Sequence, residues 1–220
     1  MTGYYLLALF VAIILHEISH GWAALAFGDT TARDAGRLTL NPIPHIDPVG
    51  TILLPVLLTL SGLPIIGWAK PVPVNVSRLR RPRSQAVWVS LAGPATNAVL
   101  SFVGWILCRL ALALSPGASA LNYGGSFVTV NLNYSWLFNL GFALGLVNLF
   151  VGAFNLIPLP PLDGSALLER LIPTRNLGSY YRVRQNLLII TMVVVLVDSQ
   201  TTHLLSHLFV TLESWWWSLL

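Results

Sequence analysis

The hydrophobic positions of this chain come in long blocks separated by short polar intervals, a pattern of buried or membrane-spanning segments rather than of one-sided helices. The first block, residues 4–27, predicts a helix about 36 Å long at 1.5 Å per residue, enough to cross a bilayer with some tilt. A turn-rich polar stretch follows, "GDTTARDAGRLTLNPIPHIDP", in which short β-strands are expected. Residues 51–67 are apolar again but carry Pro55, Gly62 and Pro64, which interrupt a regular helix. Blocks at about 85–114 and 135–157 predict two further helices, joined by a linker, 115–134, without a charged residue. A last apolar run begins near Leu187, is interrupted by Asp198, and ends in "WWWSLL", which suits a membrane interface.

Composition sharpens this picture. With 55% hydrophobic and only 9% charged residues, too little charge remains to cover a soluble surface. The expected architecture is an all-α polytopic membrane protein, a single domain over residues 1–220. It has about four transmembrane helices, a re-entrant segment, and short β-strands between the first two helices. The opening "MTGYY" lacks the basic start of a signal peptide, so the first helix is expected to be retained. The single cysteine, Cys108, excludes an intramolecular disulfide and a thiolate-rich metal site.

Charge placement sets orientation. Lys70, Arg78, Arg80, Arg81 and Arg83, and later Arg170, Arg175, Arg182 and Arg184, mark cytoplasmic segments, with the uncharged linker on the other side. The arginine run at 78–83 would suggest nucleic acid in a soluble protein. Between membrane segments it reads instead as an orientation signal touching anionic lipid, and no nucleic-acid partner is expected. If residues 51–67 crossed the bilayer, the first and third helices would end on opposite faces; if they dip in and return, both end in the cytoplasm. Their prolines and glycine favour the dip, which requires packing against protein or a wet cavity.

The middle of the first helix carries "HEISH". Residues four apart share a helical face, so His16 and His20 can offer ring nitrogens to one ion. Glu17, turned about 100° from His16, borders that ion and can take a proton from its water. Ionisable groups at mid-membrane cost about 2.5–3.5 kcal/mol each on insertion scales, and a bound cation offsets this. Catalytic zinc takes three protein ligands and keeps one open position. The candidates for the third are Asp29, Asp34, Asp47, Asp163, Asp198, His45, His203 and His207. Depth favours Asp163, which follows the third helix in a stretch that Pro158, Pro160 and Pro161 keep irregular. The re-entrant topology lets it meet the histidines.

Three motifs together, "HEISH" in the first helix, "AGPATN" at 92–97 and "NLIPLPPLDG" at 155–164, resemble the site-2 protease family of intramembrane zinc metalloproteases. The similarity extends through "LNPIPHIDPVGTILLP" and "GWAKPVPVN", and is greatest to the compact prokaryotic branch without PDZ or CBS domains. The resemblance implies one zinc ion held by His16, His20 and Asp163, with Glu17 as general base. It implies hydrolysis within or near the transmembrane segments of membrane-protein or peptide substrates, in regulated intramembrane proteolysis or signal-peptide clearance. The setting would be a prokaryotic cell membrane with the site toward the cytoplasm. Ser165 stands where the family often has a second glycine, and is expected to be tolerated.

Other polar residues are weighed against plainer roles. Asn97 is a candidate for substrate or oxyanion binding, or for a helix–helix contact beside Gly93. Asn155 is read as mainly structural. "HLLSH" at 203–207 repeats the histidine spacing without a neighbouring glutamate and is read as interfacial. Arg109 is expected to snorkel, and the 35–47 region to offer an edge to an extended substrate. The competing reading is a zinc-binding membrane transporter or sensor that does not hydrolyse; it has no special use for Glu17.

Overall fold

A computed structural model of the chain describes residues 2–53, 57, 60, 69–115, 119–123, 126–130, 135–180, 187, 191, 193–195, 197–198 and 201–220. Three helices in it are long and apolar enough to cross a membrane: α1 (Thr2–Ala26), α2 (Pro82–Ala113) and α3 (Ser135–Asn155). Pro82 opens α2, where its missing N–H leaves nothing unpaired. Past the end of α1, Gly28 adopts φ +107, a conformation few other residues reach, and the N–H of Asp29 returns to Ala24 O at 2.9 Å.

The three helices pack on one another, and α2 meets α3 backbone to backbone. A Cβ on Gly104 would lie 2.4 Å from Gly145 N and 2.5 Å from Gly141 O. Small residues one turn apart allow such approach, which is how helices associate without a hydrophobic drive between them. Cys108, Ala111, Phe138, Phe142 and Leu146 form the buried cluster around this crossing. Trp216, from the C-terminal helix α5 (Leu204–Ser218), completes it, and its indole occupies the space that a side chain on Gly145 would need. Val99, Phe102, Ile106 and Leu110 lie exposed at helical spacing on α2, as a lipid-facing stripe requires. Arg109 donates to Leu220 O at 2.5 Å and lies 6.0 Å from the ring of Trp105.

The basic ends of the helices come together. Arg80 N–H donates to Phe27 O at 3.1 Å, joining the approach to α2 to the end of α1. Arg83 at the start of α2 donates to Ile172 O at 2.5 Å, just beyond the short helix α4 (Ser165–Leu171) that follows α3. The chain therefore returns to the same end of the bundle between residues 27 and 80. The re-entrant segment expected at 51–67 and the fourth span expected from Leu187 lie largely outside the described residues.

The short strands expected between the first two helices do not form among the described residues there. That stretch holds single turns at Thr31–Asp34, Ile43–His45 and Pro48–Leu53. Pro42, Pro44 and Pro48 lack the N–H a ladder needs, and Asp47 Oδ1 gathers the N–H groups of Val49 (3.0 Å) and Gly50 (2.8 Å) into a turn. Strands form instead between α2 and α3: β1 (Ser119–Tyr123) pairs antiparallel with β2 (Ser126–Val130), Tyr123 opposite Ser126. The sequence places Gly124 and Gly125 between them, a two-residue hairpin signal.

Candidate metal centre

His16 and His20 lie on the face of α1 turned toward α2, their rings 4.7 Å apart and nearly perpendicular. Gly93 makes that approach possible. A Cβ there would stand 2.5 Å from His16 Nε2 and 2.6 Å from His20 Nε2. Asp163 arrives from the other side. After α3 ends at Asn155 the chain doubles back, with Gly164 N–H donating to Asn155 O at 2.7 Å and Ser165 N–H to Leu162 O at 3.0 Å. Gly164 passes so close to the preceding turn that a Cβ would lie 2.2 Å from Leu156 O. The result sets Asp163 Oδ2 2.9 Å from His16 Nε2 and 3.4 Å from His20 Nε2.

The proton arrangement tests whether a cation fits. His20 Nδ1 faces the carbonyl of Val89 at 2.7 Å; a carbonyl only accepts, so Nδ1 carries the proton. His16 Nδ1 faces Asn97 Oδ1 at 2.5 Å. Neutral rings with protonated Nδ1 keep their lone pairs on Nε2. Both lone pairs converge on Asp163 Oδ2, which is buried and accepts no hydrogen bond among the described residues. Three electron pairs facing one another in a buried site are costly without positive charge between them. Protonating one ring would relieve a single contact; a metal ion relieves all three. Tetrahedral zinc bonds of about 2.0–2.2 Å place ligand atoms about 3.3–3.6 Å apart; the 3.4 Å between His20 Nε2 and Asp163 Oδ2 falls in that range, and the 2.9 Å between His16 Nε2 and Asp163 Oδ2 is somewhat shorter. Among the described residues, these three form the one group of three or more His, Cys, Asp or Glu placed to share an ion, their ligand atoms lying within 4.8 Å of one another.

Glu17 is held from outside the bundle. Its Oε2 accepts the N–H of Val72 at 2.8 Å, in a strap of residues 69–75 laid along α1. Buried Arg37 grips the strap through Lys70 O at 2.8 Å, and buried Asp29 accepts the N–H of Asn75 at 2.6 Å. Burial works to raise the Asp29 carboxyl, but hydrogen bonds from Thr31 and Asn75 and the charge of Arg78 hold it below the usual carboxylate range. Asn97 is fully buried, its amide engaged between His16 and Asn148 (2.8 Å).

The other third-ligand candidates are placed elsewhere. Asp34 pairs with Arg33 on the surface, His45 Nε2 meets Thr39 O, and Asp198 accepts the N–H groups of Leu204 and Leu205. His203 and His207 are exposed. Sequence reasoning missed Asn148 and Val72, and read Gly93 as a helix-packing glycine without the two imidazoles it admits. Asn148 had a signal, a primary amide amid the apolar third block, whereas the Val72 contact depends on a backbone path that no side-chain pattern encodes.

The chain is similar to known metalloproteases. The model of Peptidase family M50 matches residues 4–197. YwhC of Bacillus subtilis is 44% identical over 173 residues, which are 79% of this chain and 71% of that protein. Rip2 of Mycolicibacterium smegmatis is 33% identical over 160 residues, 72% of this chain; the chain thus spans about half of Rip2, 53% of its length. The names of both relatives class them with zinc metalloproteases. The solved Site-2 Protease from Methanocaldococcus jannaschii aligns over 93% of this chain and 72% of its own, at 20% identity and a TM-score of 0.39, too distant to bear on the fold. On the extent of the family match, which runs from the first helix past the Asp163 turn, the chain belongs to peptidase family M50, the site-2 protease family that its motifs resemble.

Proposed function

We propose that the protein is an intramembrane zinc metalloprotease that hydrolyses peptide bonds within or near the transmembrane segments of membrane-protein substrates, with one zinc ion per chain. The observation that carries this is the convergence of His16 Nε2, His20 Nε2 and a buried Asp163 oxygen, with an acid, Glu17, next to His16 in the chain. His16, His20 and Asp163 hold the ion. When bound, zinc supplies Lewis-acid polarisation of a scissile carbonyl and a water acidic enough to lose its proton near neutral pH. Glu17 accepts that proton and returns it to the leaving amine. The Val72 N–H keeps the Glu17 carboxylate oriented between these two tasks. Beside the "HEISH" turn runs a mainly apolar groove of about 490 Å³, lined by Leu15, Ile18, Trp22, Leu38, Leu40 and Thr96, which suits an unwound apolar substrate segment. The basic residues gathered at the Gly28 end of the bundle support a site that faces the cytoplasm.

The test is Glu17→Gln assayed with a membrane-tethered reporter. Cleavage falls at least about 10³-fold while zinc still binds one to one. Unchanged cleavage removes Glu17 from the chemistry, and a wild-type protein that binds zinc but cleaves no membrane peptide supports a transporter or sensor.

A further inference from the structure

His16 and His20 have their Nδ1 protons anchored in different ways. For His20 the anchor is a main-chain carbonyl of α2, Val89 O. For His16 it is a side-chain amide, and an amide can present either its oxygen or its nitrogen. What orients that amide lies on α3. Asn148 is fully buried, and its Nδ2 donates to Leu144 O, one turn back, at 2.8 Å. A carbonyl cannot donate, so Asn148 must turn Nδ2 toward it and Oδ1 away. That Oδ1 accepts from Asn97 Nδ2 at 2.8 Å, which leaves Asn97 Oδ1 to face His16 at 2.5 Å. Gly152, one turn beyond Asn148, leaves the room: a Cβ there would be 3.1 Å from Asn97 Cβ.

We propose that Asn148 and Asn97 form a polarity relay that fixes the tautomer of His16. The direction of each hydrogen bond is dictated by the one before it, starting at Leu144 O and ending with a proton on His16 Nδ1 and a lone pair on Nε2. Both asparagines are positioning residues: neither is a ligand, and Asn148 acts only through Asn97. The relay also ties α3, which delivers Asp163, to the ligand on α1. An imidazole deprived of its Nδ1 acceptor is free to carry its proton on Nε2, where it blocks coordination. Partners of metal-bound histidines typically change affinity by about 10–100-fold when removed. The inference rests on the metal-centre reading above.

The experiment measures zinc affinity of the purified full-length protein in detergent, by competition with a chromogenic chelator, alongside the visible spectrum of the cobalt form. Asn148→Leu, similar in size but unable to donate or accept, weakens zinc about 10–100-fold and alters the cobalt bands. Asn97→Ala does the same, and the double variant is within about twofold of Asn97→Ala, because the two act in series. Wild-type affinity in Asn148→Leu, or independent multiplicative losses in the double variant, overturns the relay. Should Asn148→Leu not fold, ¹⁵N spectra of histidine-labelled wild-type apoprotein decide: a proton on His16 Nδ1 is expected, with or without a second on Nε2, and a bare Nδ1 refutes the proposal. A wild type that binds no zinc or cobalt defeats the metal-centre reading instead, and the tautomer measurement still judges the relay.

Discussion

Two stretches of this chain, "HEISH" and "HLLSH", carry histidines at the same spacing and arrive at opposite fates. His16 and His20 sit in the middle of α1 with only 6% and 9% of their surface exposed, each Nδ1 facing an acceptor. His203 and His207 are exposed, and they do not even share a helix face. His203 adopts a left-handed conformation, φ 53, ahead of α5, which begins at Leu204. Asp198, the acid nearest this second pair, spends its carboxylate on the N–H groups that open α5. Spacing therefore makes coordination possible without making it happen. The difference is a second layer, consisting of proton acceptors behind both rings and a carboxylate in front with no proton to receive.

The largest expected effect comes from breaking the first pair's front. Asp163→Ala or His16→Ala leaves two protein ligands for an ion that needs three, and zinc affinity should fall by more than about 10³-fold in chelator competition. Next is Gly93→Ala, which leaves every ligand in place but puts a methyl 2.5 Å from His16 Nε2. A loss of about 100-fold or more in zinc affinity is expected with helical circular dichroism retained. A steric change at the α2–α3 crossing sharpens the contrast. Gly145→Ala drives a methyl into Trp216 and should cost about 1–3 kcal/mol of stability, read as a lower midpoint of thermal unfolding, with a smaller loss of zinc affinity than Gly93→Ala. Smaller still is the effect of pH on the strap. Because the folded Asp29 carboxyl lies below its ordinary value, its contribution is complete above about pH 4. It is lost as pH falls through the lowered value. Asp29→Asn should remove about 1–2 kcal/mol at neutral pH and flatten that part of the acid-unfolding profile. The smallest effect, under about twofold in zinc affinity, is expected for His203→Ala with His207→Ala, which deletes the second pair entirely.

What the sequence disclosed and what it withheld divide along physical lines. The three long helices were legible because lipid demands continuous apolar runs, and their limits agree with the structure to within a few residues at 4–27, 85–114 and 135–157. The histidine pair was legible because a helix places residues four apart on one face. The meeting with Asp163 followed from depth, once the chain was required to return to the same end of the bundle. The strands were sought in the wrong interval: residues 28–48 looked extended by composition, but turn formation by proline and Asp47 prevailed, while Gly124 and Gly125 signalled the hairpin that formed. Asn97 was left between a substrate or oxyanion contact and a helix–helix contact because its helix was known and its rotational setting was not; the buried amide faces His16 and Asn148. Contacts made by missing side chains, as at Gly93, and by backbone donors, as at Val72, depend on distances between elements that one-dimensional patterns do not contain.

The tight doubling-back at Gly164 has a mechanical consequence. With the Leu156 and Ile157 carbonyls 2.2 and 2.6 Å from where a first side-chain carbon would go, even alanine would act as a wedge. It would lever the adjoining carboxylate away from both imidazoles without touching them. The neighbouring Ser165 is accommodated in full burial. A side chain is thus excluded at one residue and housed at the next, and the reach of Asp163 is governed by the bulk of the residue that follows it.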